Sequence, residues 1–164
     1  MNNLIPYRIG LGFDAHRLKK GRKLILGGTE IAFNYGLAGH SDADVLLHAL
    51  IDALLGALAL PDIGTLFPDT DPRFRNMDSR KLLKGVLSRI NRTKYRIAQI
   101  DSVLICDQPQ ISPVVNQIRQ NLSTLIKVRA DCIGIKAKTT EGTRLALPGK
   151  SISVLVIALL VKAK

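Results

Sequence analysis

The pattern of hydrophobic and polar positions along the chain predicts several strands. Residues 8–13 alternate in character, which predicts a first strand. Residues 23–33 carry two adjacent glycines between two apolar runs, and this arrangement indicates a small N-terminal hairpin. Extended runs predict three more strands, over residues 96–106, 132–138 and 151–161.

Helical periodicity separates these strands. Residues 79–91 repeat apolar positions at helical spacing, and a further helix is predicted over residues 113–127, where Pro113 suits a first turn. Residues 61–79 are rich in Pro, Gly and Asp and predict a loop that is a candidate lid. The order predicts an α/β fold of the α+β type, with a single mixed β-sheet covered by helices on one side.

One predicted helix carries a polar stripe through an apolar sequence. Residues 38–58 read AGHSDADVLLHALIDALLGAL, and Asp44, His48 and Asp52 recur there at four-residue steps, on one helix face. Ser41 followed by Asp44 resembles a capping box, which predicts a helix start near Asp42 and an end around Leu60. Taken alone, His48 is better explained by a hydrogen-bonded core histidine than by a metal ligand.

The first strand adds two more candidate ligands. Asp14 and His16 are two residues apart near its end, so their side chains point to the same face. With His48 they make a set of one carboxylate and two imidazoles, which suits Zn²⁺ with one open position. Asp44 and Asp52 would then support the ligands, or they would simply cap the helix and bond nearby backbone.

Composition limits the class of protein. With 164 residues and 46% hydrophobic content, we expect a single domain over residues 1–164. The longest uncharged apolar run is too short to span a membrane, the N-terminus lacks a secretory pattern, and the two cysteines stand apart, so a cytoplasmic protein without a membrane partner is expected. A net charge of +11 attracts polyanions, but dispersed cations and few aromatics favour a phosphorylated small substrate over nucleic acid.

Several segments of the sequence together resemble a known protein family. The segment HSDADVLLHALIDALLG, with GLGFDAHRL before it and PDIGTLFPDTDP and KAKTTE after it, closely resembles the 2-C-methyl-D-erythritol 2,4-cyclodiphosphate synthases of the non-mevalonate isoprenoid pathway. The likeness extends from about Tyr7 to the C-terminus. It implies a homotrimeric lyase with active sites between neighbouring subunits, which converts 4-diphosphocytidyl-2-C-methyl-D-erythritol 2-phosphate into the cyclic diphosphate and releases CMP.

The resemblance also implies metal and catalytic roles. Asp14, His16 and His48 would hold zinc, and Asp14 and His16 would also contact the substrate. Glu141 would help to hold a second divalent ion, Mg²⁺ or Mn²⁺, on the substrate diphosphate. His40 and Thr139 match positions that stabilise the transition state, and Ser41 matches a phosphate contact.

Further substrate contacts follow from the same likeness. The erythritol-binding positions would be Asp62, Ile63, Gly64, Phe67, Pro68, Asp69, Thr70 and Asp71. The cytidine pocket would comprise Cys106, Asp107, Gln108, Pro109, Gln110, Ile111 and Ser112, completed by Ala137, Lys138, Thr139 and Thr140. Glu141 would contact the substrate as well.

The chain departs from the family pattern in its tail. Leu145 replaces a usual Phe, Pro148 an Arg and Lys150 a Glu, while Gln110 stands where a Lys is common. The lost Arg implies weaker binding of isoprenoid diphosphates than in relatives that keep it. Two alternatives remain open at this stage, a zinc-dependent phosphohydrolase and a basic nucleic-acid-binding protein.

Overall fold

A five-stranded sheet forms the centre of the protein. The structure is a computed structural model that describes residues 6–143 and 150–163. The strands in chain order are β1 (Tyr7–Lys20), β2 (Leu24–Leu26), β3 (Thr29–Ile31), β4 (Tyr35–Leu37), β5 (Tyr95–Ile105), β6 (Ile133–Lys138) and β7 (Ser151–Lys162). The helices are α1 (Val45–Ala57), the short α2 (Ile63–Leu66), α3 (Ser79–Asn91) and α4 (Val115–Ile126).

The sheet is mixed, as predicted. Its strand order is β4-β1-β7-β5-β6, with β5 and β6 parallel and the other neighbours antiparallel. The strands β2 and β3 form a separate antiparallel hairpin, and Gly27 and Gly28 both take positive φ at its turn. The predicted N-terminal hairpin is therefore confirmed, and the adjacent glycines supply the backbone conformation that the turn requires.

The helices pack against one face of the sheet. The buried core combines the apolar side of α1 with apolar residues of α3, α4, β5 and β7. Helix α1 lies closest to β1, where Gly10 and Gly12 face the backbone of Ala53 and Ala49. This layered arrangement confirms the predicted α+β fold. Among the described residues, no helix combines the length and apolar composition needed to cross a bilayer.

On the face of the sheet opposite the helices, large apolar side chains are exposed to solvent. Because strand side chains alternate, the residues of β1 that flank its buried glycines all point away from α1. Six residues on β1 and β7, which we call the open face, are 36% to 69% exposed: Tyr7, Ile9, Leu11, Phe13, Leu155 and Ile157. The register places Leu11 beside Ile157 and Phe13 beside Leu155, so the six form one continuous patch.

Helix α1 packs so closely on β1 that a side chain at Gly12 is expected to destabilise the protein. Replacing Gly12 by alanine would place a Cβ atom 1.9 Å from the carbonyl oxygen of Ala49 and 2.6 Å from the nitrogen of Ala53. Both are backbone atoms that cannot move without shifting the helix, so we expect Gly12→Ala to lower the free energy of unfolding by about 3 kcal/mol. Urea denaturation followed by circular dichroism measures this loss.

Gly56 of α1 provides the matched control substitution. A Cβ at Gly56 would meet nothing nearer than 3.8 Å, and Gly56 has an ordinary helical φ. Gly56→Ala should therefore be neutral or stabilise the protein by about 0.5–1 kcal/mol. Equal destabilisation by the two substitutions would show that contact between β1 and α1 is not the cause.

Candidate active site

The three predicted metal ligands come together where β1 passes α1. Asp14 and His16 lie on the helix-facing side of β1, and His48 lies in the first turn of α1. The Oδ2 atom of Asp14 is 2.9 Å from Nε2 of His16 and 3.0 Å from Nδ1 of His48. The two imidazole nitrogens are 3.3 Å apart. The predicted clustering is confirmed, although β1 continues beyond His16 to Lys20 rather than ending there.

These three atoms fit a divalent metal ion. Tetrahedral zinc with bonds of about 2.0–2.1 Å to oxygen and nitrogen requires ligand atoms roughly 3.3 Å apart, close to the three separations seen here. Asp14, His16 and His48 are each half-buried, so the site is open to solvent on one side. Three ligands of this chemistry with an open side match a metal centre that can accept a further ligand from substrate.

The outer nitrogen of each imidazole has its own partner. Nδ1 of His16 lies 2.7 Å from the carbonyl oxygen of Ala38. A carbonyl oxygen only accepts, so we assign the proton of neutral His16 to Nδ1, which leaves the lone pair of Nε2 for a metal. Nε2 of His48 lies 2.9 Å from Oγ of Ser79 and 3.2 Å from Oγ of Ser41.

The two imidazoles favour the ionised form of Asp14. Burial opposes ionisation of Asp14, but hydrogen bonds from His16 and His48 and their positive charges hold the pKa of this carboxyl well below its usual range. Burial likewise favours neutral His16, yet the hydrogen bond and charge of Asp14 raise its pKa above the ordinary value. Negative charge is thus held at the point where a metal would bind.

The other two carboxylates of the helix stripe have structural roles. Asp44 is fully buried, and its carboxylate accepts backbone N–H bonds from Gly27, Gly28 and Leu47. Burial raises the pKa of Asp44 to about 6, although these hydrogen bonds oppose the rise. Asp52 accepts the N–H of Ile63 at 2.7 Å and so holds the start of α2. Asp44 and Asp52 were predicted either to support the metal ligands or to cap the helix and bond nearby backbone. The second of these roles is the correct one.

Helix α1 starts later than the predicted start near Asp42. The helix begins at Val45 and ends at Ala57, and Asp44 rather than Ser41 is its N-cap. Ser41 lies before the helix, where its Oγ accepts the N–H of Ala43 at 3.0 Å. The Asp44 carboxylate caps the N-terminus of α1 by accepting the N–H of Leu47.

The predicted erythritol-binding segment contains two short turns of helix. Asp62 caps α2 by accepting the N–H of Thr65, and Asp71 accepts both backbone and side-chain bonds from Arg73. The last residue of the loop, Ser79, contacts the metal ligand His48 at 2.9 Å, so the end of the loop lies beside the metal ligands. Phe67 packs edge-on against Phe74, with ring centroids 5.4 Å apart.

Two backbone bonds tie the end of this loop to the segment before α1. The N–H of Asn76 donates to the carbonyl of His40, and the N–H of Asp42 donates to the carbonyl of Met77. His40 and Ser41 are thereby held beside the end of the loop. Arg22 adds to this anchoring by donating to the carbonyl of Ser41 at 2.5 Å.

The two segments predicted to form the cytidine pocket contact each other. Asp107 accepts the backbone N–H of Thr140 at 2.8 Å and its hydroxyl at 2.9 Å. The N–H of Cys106 donates to the carbonyl of Lys138, and its thiol donates to the carbonyl of Gln108. Burial raises the pKa of the Cys106 thiol to about 11, so this cysteine is not a nucleophile at neutral pH.

The remaining predicted pocket residues differ in exposure. Ile111 is buried and Ala137 half-buried, while Gln110, Ser112 and Glu141 are exposed. The hydroxyl of Thr139 donates to the carboxylate of Glu141. The structure thus brings residues 106–112 and 137–141 into one surface at the end of β5 and β6.

Within one chain, this surface lies apart from the metal ligands. The register joins Asp14 to Val154, Val154 to Leu104, and Leu104 to Ala137 in one row across the sheet. Three strand spacings along that row separate the two halves of the predicted site by about 14 Å.

Part of the altered tail is outside the described residues. Leu145 and Pro148 fall there, so their substitutions are not placed structurally. Lys150 is exposed, and its carbonyl accepts the N–H of Leu18 at 2.7 Å.

Two residues behind the metal ligand His48 were missed from sequence. Ser79 touches His48 and also donates its hydroxyl to Asp42. Asp42 lies inside the recognised HSDAD segment, whereas Ser79 is 37 residues away and marked only by its place at a helix start. Their contact depends on tertiary structure.

Comparison with known proteins agrees with the site. The family model described as YgbB family matches residues 7–161. A 2-C-methyl-D-erythritol 2,4-cyclodiphosphate synthase from Clostridium perfringens is 48% identical, over 94% of this chain and 99% of its own length. The corresponding synthase of Geobacter metallireducens is 46% identical, over 93% of this chain and 98% of its own length.

Solved structures show the same fold. A synthase structure with bound CDP has a TM-score of 0.86 and 40% identity, covering 93% of this chain and 99% of that one. A CDP complex of the Plasmodium falciparum protein has a TM-score of 0.84 and 33% identity, covering 99% of this chain and all of that one. These likenesses do not support the phosphohydrolase and nucleic-acid-binding alternatives. The chain belongs to the YgbB family, the family of the 2-C-methyl-D-erythritol 2,4-cyclodiphosphate synthases.

Proposed function

We propose that this protein converts 4-diphosphocytidyl-2-C-methyl-D-erythritol 2-phosphate into 2-C-methyl-D-erythritol 2,4-cyclodiphosphate and CMP. The observation that carries the proposal is the Asp14, His16 and His48 cluster beside the predicted erythritol loop, in a chain closely similar to named synthases. A net charge of +11 adds general attraction for a substrate with three phosphate groups.

The substrate supplies its own nucleophile. An oxygen of the 2-phosphate attacks the β-phosphorus, the bond from that phosphorus to the oxygen shared with the α-phosphate breaks, and CMP leaves with that oxygen. No water enters the balance, so the reaction is an elimination of CMP rather than a hydrolysis. Because two anionic groups must approach each other, the protein has to provide cations and hydrogen-bond donors.

Asp14, His16 and His48 would hold Zn²⁺, and Glu141 would hold Mg²⁺ or Mn²⁺ together with the substrate diphosphate. Bound there, the ions would act as Lewis acids that position and polarise phosphate oxygens. A single carboxylate is a common protein contribution to an Mg²⁺ site that also uses substrate phosphates. The exposed carboxylate of Glu141 is consistent with such a role.

The chain's own groups orient the two ends of the substrate. His40 and Thr139 would stabilise the transition state, and Ser41 would contact phosphate. Asp62 to Gly64 and Phe67 to Asp71 would bind the erythritol hydroxyls, which suit carboxylate acceptors. Residues 106–112 and 137–140 would enclose the cytidine, supported by the bonds between Asp107 and Thr140.

We further propose a homotrimer with each active site between two subunits. The open face brings six exposed large apolar side chains together, and contiguous apolar patches of this kind mark protein interfaces. The metal ligands and the cytidine surface of one chain lie about 14 Å apart across the sheet, so a neighbouring subunit can bring its cytidine surface to the metal ligands. Each subunit would act as a single domain over residues 1–164, and the two free thiols suit the cytoplasm.

Assembly through the open face can be tested by adding charge to it. Leu11 is 63% exposed and central in the patch, so Leu11→Glu should leave the subunit folded. Burying this glutamate between subunits would forfeit roughly 2 kcal/mol of apolar burial and add an unpaired charge. Sedimentation should therefore show monomers in place of trimers.

The control for this change is Leu60→Glu, because Leu60 is exposed but lies beyond α1, away from the open face. It should sediment like the unchanged protein. A trimeric Leu11→Glu variant would contradict assembly through this face.

The reaction itself is tested by incubation with the cytidyl diphosphate substrate, Zn²⁺ and Mg²⁺. Phosphorus NMR should show CMP together with the cyclic diphosphate in equal amounts. CMP with a linear diphosphate would instead indicate hydrolysis and would overturn the proposal.

A further inference from the structure

Ser79 connects a metal ligand to the half-buried carboxylate of Asp42. It is the first residue of α3 and is completely buried. Its Oγ lies 2.9 Å from Nε2 of His48, and its hydroxyl donates to Oδ1 of Asp42. The backbone N–H of Ser79 donates to Oδ2 of the same carboxylate at 3.0 Å. The three side chains form one hydrogen-bonded chain that ends at the candidate metal ligand.

The chemistry of the three side chains determines which of them donates each hydrogen bond. An ionised carboxylate only accepts, so the single hydroxyl proton of Ser79 belongs to the bond with Asp42. The oxygen of Ser79 can then only accept from His48, which requires the proton of a neutral imidazole to be on Nε2. That arrangement leaves the lone pair of Nδ1 directed at Asp14 and His16.

Ser41 is a weaker partner for the same nitrogen. Its Oγ is farther from Nε2 of His48, at 3.2 Å, and already accepts the N–H of Ala43. Asp42 is well placed to hold Ser79, since its carboxylate also accepts the N–H of Asp44 at 3.3 Å. The better fixed of the two hydroxyls is therefore that of Ser79.

We propose that Ser79 and Asp42 are positioning residues for the metal site, which fix the tautomer and ring orientation of His48 so that Nδ1 is presented to the metal. The inference rests on the metal site of the proposed function and adds two residues to it. Ser79 also ends the loop that begins at Pro61, so one contact sets both the metal ligand and the end of the substrate loop.

Metal affinity tests this role directly. Ser79→Ala should weaken zinc binding roughly 10- to 100-fold, the usual effect of losing a hydrogen-bond partner of a ligand histidine. Competition with a chromophoric zinc chelator, at fixed pH and with purified trimer, measures the change without any enzyme assay. Ser88→Ala is the matched control, because Ser88 lies exposed on the same helix and should leave zinc affinity unchanged.

A second measurement uses the unchanged protein and does not depend on how the variant folds. The chain has three histidines, so ¹⁵N-labelled histidine gives a spectrum simple enough to assign. In the zinc-loaded protein, two-bond ¹H–¹⁵N correlations should show a protonated Nε2 and a metal-bound Nδ1 for His48. Zinc on Nε2 of His48, or unchanged zinc affinity in Ser79→Ala, would overturn the positioning role.

Zinc binding by two variants distinguishes a failure of the positioning role from a failure of the metal site itself. Loss of zinc in His48→Ala together with normal affinity in Ser79→Ala would keep the metal site and reject the positioning role. Stoichiometric zinc in His48→Ala would reject the metal site itself.

Discussion

Replacing His48 with alanine is expected to abolish metal binding and to lower turnover by a factor on the order of 10³. His48 supplies one of three ligand atoms that lie within 3.3 Å of one another, and two remaining ligands hold zinc far less well than three. Without the ion, the protein loses the cation that offsets repulsion between the reacting phosphates. Elemental analysis after gel filtration and a CMP-release assay measure the two effects.

The fold should survive this substitution. His48 is only half-buried at the margin of α1, while the core is built from the apolar side of the helix. Asp14→Asn should behave like His48→Ala, with zinc lost and the sedimentation coefficient unchanged. Asp52→Asn is the matched control from the same helix stripe, since Asp52 bonds the backbone of Ile63 and should leave zinc stoichiometric. Full zinc and activity in His48→Ala would contradict the ligand assignment.

Mixing two inactive variants is expected to restore activity. His48→Ala damages the metal half of a site, and Thr139→Ala damages the cytidine half, which lies about 14 Å away across the same sheet. If each site joins halves from two subunits, a trimer that contains both variants has one intact pair among its three sites, or about a third of them. Co-expression with two affinity tags yields defined mixed trimers, and CMP release should approach that fraction of the unchanged enzyme.

The control mixture combines His48→Ala with Asp14→Asn. Both changes fall in the metal half, so no pairing of subunits restores an intact site and no activity should return. Absence of activity in the first mixture, despite two tags in one trimer, would show that the site lies within a single subunit.

Several features were determined by the sequence alone. Helix α3 spans residues 79–91 as its apolar spacing predicts, and β7 begins at Ser151 as the uncharged run indicates. The period of two correctly placed Asp14 and His16 on one face of β1, and the helical period placed His48 on a single row with Asp44 and Asp52. These features depend on which side of an element faces the core, and local periodicity encodes that side directly.

The start of α1 was decided by a contact between distant parts of the chain. A local capping pattern favoured a start near Asp42, but Asp44 turns inward and accepts N–H bonds from the hairpin turn at Gly27 and Gly28. Fully buried, this carboxylate requires those donors, and their position is set by the fold of the hairpin rather than by neighbouring residues.

The organisation of the candidate site likewise depends on tertiary structure. Sequence spacing indicated the three ligands, but only the packing of β1 against α1 brings Nδ1 of His48, rather than Nε2, to Asp14, and only the arrival of α3 places Ser79 behind it. Strand order, which hydrophobic periodicity does not encode, sets the metal ligands and the cytidine surface three strands apart. The physical reason is that periodicity reports burial of one element at a time, whereas hydrogen-bond partners and strand neighbours are chosen among elements far apart in the chain.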